Sequence, residues 1–389
     1  TEVPMSFQLL PASHPRPAPA PQLNQRLVGA ASAASFAMVA GGAWLIAHPG
    51  LNPLSDPQAV LARTLLSANA ATLVLTVLGA VGLLAGMAAL ARPDSKHIRR
   101  ALVIVALLEV VGAALLQGVT TIALAGYLVA MALPFGLAWL SVQVIRRYRQ
   151  LRWPAGVALA AIGVWGFSTG AFWPTHLAGL AAGLAAGFAG QALQLGLSAL
   201  VTGVAACWCL VLLAALKPTS AATRWGDWVL RHRRGVTWLA AACPLPYGLA
   251  RASWLTPWPL LSPAGEVLDP EIRLWGLLLG GGAVLGSVLT VGLIRPWGLV
   301  FPRWMPRWAG RPVPVGAATV PGGVVAGILC VSAMPMIWFA LAAGPTSVFS
   351  AASVLTRLAA TLIFPFWLWG PALALAVWGY ALHRRALAS

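Results

Sequence analysis

Long apolar runs separated by short basic gaps recur along this chain, and the alternation constrains its fold more than any single motif. Of its 25 Lys and Arg residues, 21 lie in six segments that fall at alternate ends of the apolar runs. A helix needs about 20 mostly apolar residues to cross a bilayer, so these runs predict transmembrane helices. Because 59% of the 389 residues are apolar and only 8% are charged, one soluble core would not bury all the runs. We predict an all-α, polytopic transmembrane helical bundle.

About ten spans are predicted within a transmembrane domain over residues 26–385, and nine to twelve are compatible with the sequence. They are expected near residues 27–48, 70–91, 101–118, 126–145, 155–172, 177–216, 236–255, 274–294, 316–343 and 359–382. The preceding residues 1–25 are rich in Pro and predict a disordered tail.

The run over residues 177–216 conflicts with the span count, because it is about twice as long as one crossing. Basic gaps on both sides require an odd number of crossings, so we expect its first part, up to Gln194, to be half-inserted or interfacial. Gly179, Gly183 and Gly187 would then form a flat face pressed against another helix. One long tilted helix with a small-residue packing seam is the alternative.

Charge predicts the orientation of the chain, because short loops rich in Lys and Arg stay in the cytoplasm. This rule places both termini in the cytoplasm and the loop over residues 255–273 outside. The net charge of +17 therefore predicts contact with anionic headgroups of the cytoplasmic leaflet and not with nucleic acid.

Glu109 is the only acid within a predicted span. It lies nine residues beyond Arg100, or about 13 Å into the helix at 1.5 Å per residue. An unpaired carboxylate at that depth costs about 2.5 to 3.5 kcal/mol, so such groups are protonated, paired or exposed to a water-filled path. Glu109 is predicted either to couple a proton or cation to transport, or to be a protonated acid bonded to a neighbouring helix.

Other polar groups and helix breaks complete the predicted substrate or ion pathway. Gln191 and Gln194 follow the glycine-rich face, and Arg251 lies near the outer end of its span, where it reaches either outer acids or an anionic substrate. Three prolines at membrane depth predict breaks that leave carbonyls free to line a cavity: Pro244, Pro246 and Pro335.

Signals for catalysis and metal binding are weak. Ser168 stands in a G-x-S-x-G pattern with His176 eight residues later, but the pattern requires a strand-to-helix turn and here it falls in a helical run. His48 and His176 lie at outer ends of spans, where a metal or haem is an alternative to simple solvation. We predict no catalytic residue, no metal and no cofactor.

Two segments carry a resemblance to known sequences: PLPYGLARASWLTPWP from Pro244 to Pro259, and RPWGLVFPRWMPRWAGRPVPVGAATVP from Arg295 to Pro321. They resemble segments of uncharacterised multi-pass membrane proteins of actinobacteria. The preference for Arg over Lys, 23 to 2, is typical of a high-GC genome. The resemblance implies the cytoplasmic membrane of a bacterium and no activity for particular residues.

Two functions of different classes fit these features. The first is a secondary transporter or permease with Glu109 as its proton-coupled carboxylate. The second is a non-catalytic membrane subunit or sensor whose small-residue faces dock partner membrane proteins. A membrane-embedded enzyme or a haem carrier is a third, less supported class.

Overall fold

The computed structural model describes most of the chain from Gln25 to Leu387. The described residues are 25–56, 60–93, 95–118, 152–168, 172–216, 220–256, 258–260, 269–303, 308–341, 354–363 and 365–387, with isolated positions at 126–150, 170 and 305. Residues 1–24 of the predicted tail (1–25) and most of the predicted span 126–145 lie outside them.

Throughout the described residues the fold is all-helical, with one isolated bridge between Val300 and Pro312. Twelve α-helices occur in this part of the chain: α1 (Gln25–Ala47), α2 (Ala68–Ala91), α3 (Lys96–Leu115), α4 (Arg152–Ser168), α5 (Pro174–Gly190), α6 (Ala192–Leu216), α7 (Ser220–Ala242), α8 (Leu245–Ala252), α9 (Pro270–Gly292), α10 (Val315–Leu341), α11 (Val354–Ile363) and α12 (Phe366–Ala386).

Six segments of the described chain are long and apolar enough to cross a membrane, as in a multi-pass membrane protein. They are Gln25–Ala47, Ala68–Ala91, Ala192–Leu216, Ile272–Gly292, Val315–Trp338 and Arg357–Ala386. Each overlaps one of the ten predicted spans. The count of ten and the side on which each terminus lies remain predictions.

The other helices are shorter or more charged. Helices α4 and α5 have 17 residues each, and α3 begins with Lys96, Arg99 and Arg100 in its first turns. The predicted span 236–255 is divided between the end of α7 and the short α8, with a turn at Cys243 and Pro244. That division follows from Pro244 and Pro246, which cannot supply backbone donors to a continuous helix.

On helix α2, glycines face the interior of the bundle beside Leu75, and several large apolar residues face outward. On α2 the buried positions include Gly79, Gly82 and Gly86, whereas Val77 and Leu84 are 51% and 62% exposed. A soluble helix would bury the larger side chains, because burial of apolar area drives its folding. The reverse arrangement is typical of membrane helices, which associate through close backbone packing.

Two packed cores organise these helices. Helices α1, α2, α3 and α6 form the first core, which includes Leu75, Val201 and Trp208. Helices α10 and α12 form the second together with α7, and Tyr380 lies at its centre. Helix α10 also contacts α3 and α6, so the two cores adjoin.

Two of the expectations concern the continuity of helices. The 177–216 run is interrupted at Gln191, which separates α5 from α6; half-insertion of its first part stays a prediction. The expected break at Pro335 is not observed, since α10 continues through both Pro321 and Pro335. Neighbouring helices can satisfy the carbonyl that a proline leaves free, which lets a membrane helix continue past it.

Candidate functional site

The side chain of Glu109 lies at the contact of the four helices in the first core. Helix α3 positions it: Ser95 caps the helix by accepting a hydrogen bond from the Ile98 amide at 3.4 Å, and Glu109 falls about 20 Å further along the axis. Only 1% of the residue is exposed, and its Oε1 atom has no hydrogen-bond partner among the described residues. A buried oxygen without a donor is costly, so the site favours the neutral acid.

Ser35 on α1 and Trp208 on α6 complete this polar site, and both are fully buried. Nε1 of Trp208 donates to Oγ of Ser35 at 2.9 Å. Gly82 on α2 explains the convergence, because a Cβ built there would collide with Oε1 of Glu109 and Oγ of Ser35 and would lie 3.1 Å from Trp208 Nε1. We call these four residues, Ser35, Gly82, Glu109 and Trp208, the Glu109 cluster.

Glycines let α1 and α2 approach closely on either side of the cluster. A Cβ on Gly79 would lie 2.9 Å from the carbonyl oxygen of Ser35, and one on Gly86 would collide with Oγ of Ser32. On the facing helix, a Cβ on Gly42 would collide with Oγ1 of Thr76. Side chains of any size at these positions would separate the helices, so the glycines determine the dimensions of the site.

Gln117 fixes the far end of α3. Its Nε2 atom donates to the Ser198 carbonyl at 3.1 Å and to Thr202 Oγ1 at 3.0 Å, both on α6. The backbone carbonyl of Gln117 accepts a hydrogen bond from the Leu61 amide at 3.0 Å, which joins the α1–α2 connection to the same point. These bonds anchor the end of α3 that follows Glu109 to α6 and to the α1–α2 connection.

A second buried pair lies where the α1–α2 connection meets α2. Asn52 Nδ2 donates to Thr72 Oγ1 at 2.8 Å, and Asn52 Oδ1 accepts the Leu54 amide at 2.9 Å. This pair satisfies the polar groups of the connection locally. The Glu109 cluster differs from it in holding an ionisable group with an unsatisfied oxygen.

Gln191, Gln194 and Arg251, the remaining pathway residues predicted from sequence, lie away from this cluster. Gln191 is exposed at the α5–α6 interruption and Gln194 is half-buried in the first turn of α6. Gln194 precedes Trp208 by 14 residues, or about 21 Å of helix. Arg251 is on α8, where its guanidinium lies 4.0 Å from the ring centroid of Trp254. The structure therefore does not bring Gln191, Gln194 and Arg251 into one site with Glu109.

Gly183 and Gly187 on α5 do not pack against another helix in the described part of the chain. A Cβ on Gly183 or Gly187 would meet no atom of the described residues within 4 Å. No residue of α5 is buried among the described part of the chain. The expectation that these glycines press against another helix is thus contradicted at Gly183 and Gly187.

The weaker catalytic and metal candidates make ordinary contacts. Ser168 donates to the Trp165 carbonyl at 3.0 Å, a bond within one helical turn. Nδ1 of His48 lies 2.9 Å from the Trp44 carbonyl, and its ring stacks on Trp44. His176 lies beside Trp173 in the first turn of α5. Within the described residues, no three His, Cys, Asp or Glu side chains group closely enough to hold a metal.

Ser35, Gly82 and Trp208 were not identified from the sequence, although Trp208 carries a usable signal. Most Trp residues here stand beside loops, whereas Trp208 lies in the middle of a 25-residue helix. An indole at that depth needs a partner for its N–H group, which predicts a buried acceptor. Which serine supplies the acceptor depends on the packing of α1 against α6.

Comparisons with protein-family models, with curated proteins and with solved structures give no significant match to this chain.

Proposed function

We propose that this membrane protein is a proton-coupled secondary transporter or permease and that Glu109 is its coupling carboxylate. One observation carries the proposal: Glu109 is 1% exposed at a four-helix contact, and its Oε1 atom lacks a partner among the described residues. Structural carboxyl groups in membrane helices are normally paired, so an unsatisfied one marks a functional site.

The packing links protonation of Glu109 to the separation of the helices. In the packed arrangement the carboxyl is enclosed by Gly82, Ser35 and Trp208, where the neutral form is favoured. Release of the proton leaves a charge that requires water or a cation, and either one requires α2 and α6 to separate from α3. A solute that binds between the separated helices would then move with the proton.

Proteoliposomes that enclose a pH-sensitive dye test this function. We expect at least one compound from a panel of amino acids, sugars, organic acids and hydrophobic amines to change the internal pH when added outside. The Glu109→Gln variant should abolish the change, because the amide mimics the protonated acid and cannot release a proton. Asp227→Asn is the matched control, since Asp227 is exposed on α7.

Solute uptake by Glu109→Gln with an unchanged pH signal would contradict the proposal. If the whole panel gives no signal with the wild-type protein, the proposed transport is rejected for those solute classes, and the second candidate gains support.

The second candidate is a membrane subunit that responds to protonation without moving a solute. The close packing of the cluster favours it, because Ser35 and Trp208 are fully buried beside Glu109. In that case a pH change would alter the cross-linking of α3 to α6 in wild-type protein while proteoliposomes show no solute flux.

A further inference from the structure

A group of basic residues lies where α7 crosses the end of α12. The helices approach closely at Gly379, where an added Cβ would lie 3.4 Å from Cβ of Arg233 and 3.1 Å from Cγ1 of Val229. This contact brings Arg233 beside the last turns of α12. There the positive charges of Arg233 and Arg384 both lie near the His383 ring. We call Arg233, His383 and Arg384 the basic cluster.

The charges of the basic cluster have no counter-charge within the described chain. Nη1 of Arg233 is buried and has no hydrogen-bond partner among the described residues. Arg384 donates from Nη1 to the Tyr380 hydroxyl at 2.9 Å, and this hydroxyl donates to the Gly298 carbonyl at 2.8 Å. Both partners are neutral. No described carboxylate pairs with any of the three residues, so no acidic side chain of the described chain balances their charge.

Burial makes this imbalance costly. It lowers the pKa of the Arg233 guanidinium from its ordinary value, and the adjacent charge of Arg234 acts in the same direction. The stem of Arg233 is held against Gly379, and Arg384 is anchored through Tyr380, so neither side chain is simply extended into solvent. Two guanidinium groups held in this way are suited to an oxyanion, which each can bind through two parallel hydrogen bonds.

The surroundings indicate that the anion belongs to a lipid. Trp225 and Trp228 on α7 are 58% and 40% exposed, and Trp378 and Leu382 on α12 pack against Gly226 between them. Exposed tryptophans mark the level of the lipid headgroups. Basic pockets between membrane helices at that level bind acidic headgroups. We propose that Arg233 and Arg384 bind the phosphate of an anionic phospholipid at the α7–α12 crossing.

Native mass spectrometry of the full-length protein in detergent tests the site with phosphatidylglycerol as the probe and phosphatidylcholine as the neutral comparison. The Arg233→Gln/Arg384→Gln variant should bind phosphatidylglycerol roughly tenfold more weakly than the wild type, because charge-assisted bonds to phosphate are lost. Arg92→Gln/Arg100→Gln is the matched control, since it removes the same charge from two exposed residues. The control should keep wild-type binding.

A second pair of variants separates loss of binding from misfolding. Arg384→Lys retains the positive charge and should keep more phosphatidylglycerol than Arg384→Gln, with both variants showing wild-type elution by size. Equal loss in the Arg92/Arg100 control would show general charge attraction and overturn the site. Thermal stabilisation by inorganic phosphate but not by phosphatidylglycerol would overturn the lipid assignment, as would unchanged lipid binding in the Arg233/Arg384 variant.

Discussion

At the scale of single residues, the Glu109 cluster depends on Gly82, because only glycine leaves space for the carboxyl of Glu109. We expect Gly82→Ala to destabilise the protein by about 1 to 3 kcal/mol, since overpacking forces neighbouring atoms to shift. Gly203→Ala on α6 is the control, because no atom of the described residues lies within 4 Å of an added Cβ there. It should be neutral or stabilising by up to about 1 kcal/mol. Thermal unfolding in detergent compares the two. Equal melting temperatures would mean that the cluster is not tightly packed.

The hydrogen bond between Trp208 and Ser35 gives a second residue-scale prediction. Ser35→Ala leaves the buried indole N–H group without an acceptor, which should cost about 1 to 3 kcal/mol. Ser32→Ala, three residues earlier on α1, removes a hydroxyl that donates to the Val28 carbonyl of its own helix at 2.8 Å. The control should cost less, and the measurement is again the melting temperature. The reverse order would contradict the contact.

Glu109 could be identified from the sequence because it is a lone acid in an apolar run, and such a residue is conspicuous whatever the packing. Its partners could not. Serine and glycine occur throughout these helices, and the choice of Ser35 and Gly82 depends on the rotation of α1 and α2 about their axes. That rotation follows from the contact of Gly42 with Thr76 and from the contacts of Gly79 with Ser35 and Val39, none of which involves α3.

At the scale of helices, apolar runs were sufficient to predict the six segments that meet the length and composition of a span. They were insufficient where polar residues or prolines interrupt a run. Helix α7 begins at Ser220, well before the predicted span at residue 236, because its Arg and Trp residues form an amphipathic helix that apolar counting overlooks. Pro244 then separates α7 from α8.

Helix α5 provides the element-scale prediction. Gly183→Leu should be tolerated, with a change in unfolding free energy within about 0.5 kcal/mol, because an added Cβ meets no atom of the described residues within 4 Å. Gly79→Leu is the contrasting variant, since an added Cβ lies 2.9 Å from the Ser35 carbonyl oxygen. It should lower the melting temperature or prevent folding. Strong destabilisation by Gly183→Leu would restore the sequence-based expectation that this face packs on another helix.

At the scale of the whole molecule, the distribution of basic residues predicts the orientation of the bundle. With the four native cysteines replaced by alanine, Thr256→Cys after α8 should react with a membrane-impermeant maleimide added outside intact cells. Ala386→Cys at the end of α12 should react only after the cells are opened. Both positions are exposed. Reversed labelling would invert the orientation, whereas labelling of both from outside would change the parity of crossings between them.

We expect the carboxyl of Glu109 to hold an exchangeable proton within the packed bundle. Infrared difference spectroscopy of the full-length protein in lipid vesicles, recorded between acidic and alkaline pH, measures this proton through the carbonyl stretch of the protonated acid. The account predicts a band that is present in wild type and Asp227→Asn, disappears at alkaline pH, and is absent in Glu109→Gln. A Glu109→Gln spectrum identical to wild type, or a Glu109 band unchanged across the pH range, would contradict it.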